Sequence, residues 1–111
     1  MTTPGHTTDE NRSEKSMFMV LLRFSSNRND APQHMTGHQK WIERGLADGV
    51  FLLVGSIKPG VGGAVLAHNI SSEDLRQRVA EDPFVATDVV TAEVIEIAAA
   101  QADDRLEFLL D

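Results

Sequence analysis

The sequence has 111 residues, the size of one small domain, which leaves no room for a second. Seventeen acidic against ten basic side chains give a net charge of −7, which argues against a nucleic-acid partner, because phosphate binding needs a concentrated basic surface. The absence of cysteine excludes disulfides, thiolate metal sites and a cysteine nucleophile. No apolar run is long enough for a signal peptide or a membrane span, so we expect a cytoplasmic protein with no membrane partner.

The N-terminal segment is strongly polar. Residues 1–16 contain no aliphatic side chain after Met1, and so polar a segment buries too little to offset its conformational entropy. We therefore expect a disordered tail there and a folded domain over residues 17–111. The domain begins with the apolar run MFMVLLRF, residues 17–24, whose length favours a strand over a helix. Its nearly continuous apolarity predicts burial on both faces of a sheet.

A first helix is predicted from Pro32 to Asp48. Asp30 can cap its start, Pro32 suits its first turn, and Gly49 follows as the C-cap residue. The spacing of four apolar residues gives this helix one apolar face. These residues are Met35, Trp41, Ile42 and Leu46.

Two strands and a second helix follow. Residues 50–57 (VFLLVGSI) predict a second buried strand and residues 64–70 (AVLAHNI) a third. The intervening KPGVGG predicts a hairpin turn. The second helix is expected to begin after Ser71, whose side chain can cap it, and to end before Pro83.

A fourth strand is predicted over residues 89–98 (VVTAEVIEIA). The C-terminal tail, residues 99–111, carries leucines and a phenylalanine that are too apolar for solvent, so we expect it to pack on the domain or on a partner chain. The order β-α-β-β-α-β predicts a ferredoxin-like α+β sandwich, with two helices on one face of an antiparallel sheet. The other face would be apolar and exposed, which predicts a homodimer.

Two histidines in the first helix are candidate functional residues. His34 and His38 lie four residues apart, as in helical zinc sites, but Met-Thr-Gly stands between them where such a site needs a glutamate. No third ligand is evident, so we expect no metal. His38 stands where an aliphatic residue is usual, and it is either a packed, hydrogen-bonded histidine or an acid/base group.

Asp82 is the candidate partner of His38. In this topology the start of the first helix approaches the end of the second, so the two side chains can meet. A carboxylate bonded to an imidazole fixes its tautomer and orientation. The alternative is that Asp82 only forms a turn. Arg23 or Ser56 would bind a developing oxyanion. The alternative for Arg23 is an ion pair at the surface. Four aromatic residues could supply apolar walls to a pocket: Phe18, Trp41, Phe51 and Phe84.

The pattern resembles the YCII-related proteins. The similar parts are MFMVLLRF, then HQKWIERGLADGVFLLVGS over residues 38–56, and EDPFVATDVVTAEVIEI over residues 81–97. The resemblance implies a ferredoxin-like domain that pairs as a dimeric α+β barrel, with an active-site pair that falls on His38 and Asp82. One branch of this family is similar to a dehydrochlorinase of chlorinated hydroxyquinols, and related barrels include muconolactone isomerases. The chain departs from the pattern at Ser56, which is often proline in the family.

Two hypotheses follow. The first is a lyase or isomerase that needs no cofactor and acts on a small cyclic or phenolic molecule, with His38 moving a proton and Asp82 orienting it. The second is a ligand-binding or accessory dimer without catalysis.

Overall fold

One antiparallel sheet organises the chain. In the computed structural model, which describes residues 16–110, the strands are β1 (Met17–Phe24), β2 (Phe51–Ile57), β3 (Gly62–Ala67) and β4 (Val90–Ile97). Their spatial order is β2-β3-β1-β4, so β1 is central and pairs antiparallel with β3 and β4. The tail expected over residues 1–16 lies outside the described residues except for Ser16.

Three helices accompany the sheet. They are α1 (Ala31–Ala47), α2 (Ser72–Ala80) and the one-turn α3 (Pro83–Ala86). Shorter 3₁₀ turns cover Arg28–Asp30 and Asp104–Leu110. The order of the main elements confirms the predicted ferredoxin-like α+β architecture. The sequence pattern does not predict α3, because Pro83 ends α2 and at the same time begins this new turn.

Alternation along β1 separates a core face from an open face. Phe18, Val20 and Leu22 are buried, while Arg23 is exposed. The buried residues form one core with Trp41 of α1 and with Leu75 and Val79 of α2. The prediction that β1 is buried on both faces is wrong for the single chain, because the residues of its second face are only partly buried or exposed. The prediction that β2 is a buried strand is wrong as well. β2 lies at the sheet edge, and its Leu53 is 60% exposed.

Helix α1 buries a different set of residues from the set that the sequence predicts. Leu46 is 47% exposed, and Gly45 occupies the core position beside it. The reason is the ring of Phe51, which lies so close to Gly45 that a Cβ there would overlap it. Asp30 precedes α1, but its side chain makes no capping bond. Ser71 does cap α2, since its Oγ accepts a hydrogen bond from the Asp74 N–H at 3.1 Å.

The β2–β3 hairpin is shorter than predicted. Gly62 belongs to β3, although the sequence analysis placed it in the turn. Its φ is +154°, and a Cβ would overlap the carbonyl oxygen of Leu22 on β1. Glycine at this position therefore lets the two backbones approach at the end of the sheet near Leu22.

Contacts between α1 and α2 fix their antiparallel arrangement. The indole N–H of Trp41 donates to the carbonyl oxygen of Arg78 at 2.8 Å, and the Arg78 guanidinium pairs with Asp48 at 3.0 Å. Because the helices run in opposite directions, the first turns of α1 lie beside the chain that leaves α2.

The C-terminal segment folds back onto the domain. Leu109 is 7% exposed, and the Phe108 ring packs edge-on against His68, with ring centroids 5.4 Å apart. Leu106, Phe108 and Leu110 remain 42–47% exposed. No helix within residues 16–110 is long and apolar enough to cross a bilayer.

Candidate active site

A cavity of about 320 Å³ lies between α1 and the core face of the sheet. This volume lies at the small end of the range for ligand pockets, which suits a small molecule such as a substituted ring. Its apolar lining includes Leu22 and Phe24 of β1, Val54 of β2 and Trp41 of α1. Three polar side chains complete the lining: His38, Gln39 and Ser56.

His38 and Asp82 are joined at the wall of this cavity. The His38 Nδ1 and the Asp82 Oδ1 are 2.8 Å apart, and the two side chains are 14% and 0% exposed. An ionised carboxylate only accepts hydrogen bonds, so the proton of a neutral His38 lies on Nδ1. Nε2 then carries a lone pair and can take a proton from a bound molecule.

The local chain at Asp82 explains its position. Asp82 caps α3, since its Oδ1 also accepts the backbone N–H of Phe84 at 3.0 Å. Its backbone is extended (φ −61°, ψ 124°), as expected before Pro83. Its Oδ2 is buried and makes no hydrogen bond in the described part of the chain. A buried carboxylate with one bare oxygen costs stability, a cost that is typical of functional sites.

Aromatic rings hold the plane of the imidazole. The Phe84 ring stacks on His38 with centroids 4.0 Å apart and an interplanar angle of 5°. The Trp41 ring lies 5.9 Å away at 22°. Because Phe84 follows Asp82 by two residues, the turn that binds His38 at Nδ1 also covers one face of its ring.

Gly37 lets this turn come close to α1. A Cβ on Gly37 would stand 3.0 Å from Cγ of Pro83, tighter than ordinary van der Waals contact. Gly37 is not among the residues predicted for the site. The available signal was a glycine in a helix interior directly before the candidate histidine, where alanine would be favoured by about 1 kcal/mol.

The structure brings most of the candidate site residues together. Ser56, Trp41 and Phe84 line the cavity with His38. Ser56 lies opposite Gly63 on β3, where the absence of a side chain leaves room beside it. Gln39, which lies next to His38 on α1, also lines the cavity, although it was not among the predicted site residues. Phe18 and Phe51 are buried in the core and do not line the cavity.

Arg23 lies apart from this group. Its Nη1 binds Glu93 Oε1 at 2.9 Å, and both side chains are about half exposed. The pleat of β1 explains the separation, because Arg23 points away from the face that carries Leu22. His34 does not line the cavity either, and no three His, Asp or Glu side chains within residues 16–110 gather as metal ligands.

The chain is similar to solved structures, although it matches no family model and no curated sequence. Among solved structures, it is similar to 5-chloro-2-hydroxyhydroquinone dehydrochlorinase from Burkholderia phenoliruptrix, solved in complex with 2,5-dihydroxybenzoquinone. The TM-score is 0.63 at 13% sequence identity, with 80% of this chain and 97% of that chain covered. This similarity shows a shared ferredoxin-like fold, and the resemblance to YCII-related proteins in particular stays a prediction.

Proposed function

We propose that the protein is a cofactor-independent lyase or isomerase that acts on a small cyclic or phenolic molecule through the His38–Asp82 pair. The observation that carries the proposal is the 2.8 Å contact between His38 Nδ1 and Asp82 Oδ1 at the wall of this small cavity. This arrangement gives Nε2 the role of a base and Asp82 the role of orienting and stabilising the protonated imidazole. We expect this activity in the cytoplasm.

The structural neighbour suggests a substrate to test. That protein is a dehydrochlorinase of 5-chloro-2-hydroxyhydroquinone, and its fold covers most of this chain. Here, His38 Nε2 would take the proton of a ring hydroxyl and return it to the carbon that bears chlorine. Removal of a second hydroxyl proton would then expel chloride with its bonding electron pair. The sum is loss of HCl, which leaves a hydroxyquinone and needs no external oxidant. Without chlorine, the first proton transfer alone would be an isomerisation.

Ser56, rather than Arg23, is the residue that would bind the oxyanion formed in this reaction. When the ring hydroxyl loses its proton, negative charge develops on its oxygen, and a hydroxyl donor can stabilise that charge. Ser56 and Gln39 belong to the cavity lining, whereas Arg23 pairs with Glu93 on the other face. We therefore assign oxyanion binding to Ser56, with Trp41 and Phe84 as apolar walls.

Chloride release from 5-chloro-2-hydroxyhydroquinone tests the proposal. We expect turnover by the wild-type protein and a loss of about 10²–10⁴-fold in His38→Ala, the usual contribution of a general acid–base group. His34→Ala is the matched control, since it removes the same side chain from the same helix outside the cavity. Absence of turnover in the wild type, or equal rates in His34→Ala and His38→Ala, would contradict the proposal.

The second candidate function is binding without catalysis. The mostly apolar lining favours it, because such a lining suits simple capture of a ring. Under this alternative, His38→Ala would weaken ligand binding, and no substrate would turn over. Under the enzyme proposal, the same variant binds ligand and loses turnover.

We further propose a homodimer that forms through the open face of the sheet. Leu53 is 60% exposed and Ile95 38% exposed on this face, where apolar area on a monomer is usually small. The half-exposed apolar side chains of the C-terminal segment could add to such an interface. Analytical ultracentrifugation of the wild type and of Leu53→Glu tests this proposal: we expect a dimer that the charge dissociates, and a monomeric wild type would refute it.

A further inference from the structure

Among residues 16–110, no lining residue of the cavity beside His38 offers a cation to an anionic ligand. In the described chain its polar lining is His38, Gln39 and Ser56, and its other lining residues are apolar or glycine. Asp82 contributes a carboxylate 2.8 Å from His38 Nδ1. The pair therefore has a net charge of −1 when His38 is neutral and of zero when His38 is protonated. In neither state do the described residues of the cavity wall carry a net positive charge.

Two arginine side chains of the described chain, Arg28 and Arg23, make their contacts outside the cavity. The Arg28 guanidinium lies 4.4 Å above the centroid of the Phe24 ring, and it donates to the Gly60 carbonyl oxygen at 3.3 Å. Arg28 is exposed and does not line the cavity, so water and salt screen its charge. Arg23 is paired with Glu93 on the opposite face. The net charge of −7 on the whole chain adds no attraction for anions.

From this charge distribution we infer that the cavity selects an uncharged one-ring molecule with hydroxyl or carbonyl oxygens and rejects the same ring when it bears a carboxylate. The inference deepens the proposed function, because it concerns the substrate of the same site. A carboxylate that entered would lose its hydration in a largely apolar cavity without gaining a counter-charge. Hydroxyl and carbonyl oxygens can instead bond to Ser56, Gln39 and His38 Nε2.

Proton transfer strengthens the same preference. With an uncharged ring, the site and its ligand carry a total charge of −1 before the transfer, and the transfer only moves that charge from the His–Asp pair to the ring. A carboxylate on the ring would make the total charge −2, and no described residue of the lining supplies a cation to offset it. Of the two reactions suggested by the resemblance, loss of HCl from a hydroxyquinol fits this site. Isomerisation of a lactone that carries a carboxylate does not.

Isothermal titration calorimetry with matched ligands tests the inference. The ligands are gentisate and gentisamide, which share a dihydroxy ring and differ in a carboxylate or a carboxamide, together with unsubstituted hydroquinone. We expect the wild-type protein to bind gentisamide at least about tenfold more tightly than gentisate, a ratio that corresponds to about 1.4 kcal/mol. Binding of gentisate as tight as that of gentisamide would overturn the inference, and so would failure of both uncharged ligands to bind.

Three variants locate the origin of the preference. Gln39→Arg brings a guanidinium to the lining and should reduce the preference for gentisamide over gentisate. Gln39→Met removes the amide without adding charge and should leave this preference unchanged. Arg28→Gln should also leave it unchanged. If gentisate binds the wild type tightly and Arg28→Gln abolishes that binding, the Arg28 guanidinium attracts the carboxylate into the cavity and the inference is wrong.

These results are separable from a test of the enzymatic activity. A tenfold preference for gentisamide in a protein that releases no chloride would refute the proposed lyase and leave the charge selectivity established. Chloride release by a protein that binds gentisate and gentisamide equally would support the proposed lyase and refute the charge selectivity.

Discussion

Replacing Gly37 with alanine should disturb the candidate site more than the fold. The new Cβ would stand 3.0 Å from Cγ of Pro83, so the proline ring must move by a few tenths of an ångström. Overpacking of this kind costs about 1–3 kcal/mol, while alanine inside a helix gains about 1 kcal/mol over glycine. The free energy of unfolding should therefore fall by between about zero and about 2 kcal/mol.

The same displacement should reach the His–Asp pair directly. Asp82 precedes Pro83, and its Oδ1 is 2.8 Å from His38 Nδ1, so a shift of a few tenths of an ångström lengthens or tilts this hydrogen bond. Since misplacement by 1 Å can cost about 10²-fold in rate, we expect about a tenfold loss of turnover in Gly37→Ala. Urea denaturation measures the stability, and chloride release under folding conditions measures the rate.

Gly49→Ala is the control for a simple loss of stability. Gly49 follows α1 with a φ of +76°, and a Cβ there would meet no atom within 4 Å, so alanine would strain only the backbone. We expect a loss of about 1–2 kcal/mol in stability with an unchanged rate. If Gly37→Ala lowers turnover no more than Gly49→Ala does, the close approach of Pro83 to Gly37 does not position Asp82, and the reasoning is refuted.

Three further substitutions test other contacts. Trp41→Phe removes the 2.8 Å bond to the Arg78 carbonyl oxygen and should lower the free energy of unfolding by about 1 kcal/mol; no change on urea denaturation would show that this bond does not hold the helices together. Phe84→Leu removes the stacked ring 4.0 Å from His38 and should cost about 0.5–1.5 kcal/mol beyond the lost apolar area, with reduced turnover, and an unchanged rate would refute its positioning role. Arg23→Gln breaks an exposed pair worth about 0–1 kcal/mol and should leave the calorimetric affinity for gentisamide unchanged, whereas weaker binding would place Arg23 in the site.

Local patterns in the sequence were sufficient to predict the fold. The apolar run over residues 17–24 matches β1 at both ends, and Ser71 caps α2 as its sequence context indicates. The errors arise where distant residues decide the outcome. Gly45 takes the core position expected for Leu46 because the Phe51 ring, six residues later on a strand, occupies the space beside it. Helical periodicity alone contains no information about that ring.

The candidate site was predictable in its chemistry but only partly in its geometry. The topology alone indicated that His38 and Asp82 can meet, since antiparallel helices bring the start of one beside the end of the other. The assignment of Arg23 to the same site required knowing which face of β1 its side chain occupies, and a continuous apolar run does not reveal this. Gly37 was missed for a similar reason, because its importance depends on the position of Pro83 across a helix contact.

The proposed chemistry requires a neutral His38 that holds its proton on Nδ1 toward Asp82 and presents an unprotonated Nε2 to the cavity. Two-bond ¹H–¹⁵N correlation spectra of the imidazoles distinguish the tautomers directly, in the wild type and in Asp82→Asn. We predict the Nδ1–H tautomer for His38 in the wild type and a mixture of tautomers in Asp82→Asn, whose amide can either accept from or donate to the ring. An Nε2–H tautomer in the wild type, or identical spectra for the two proteins, would contradict the account.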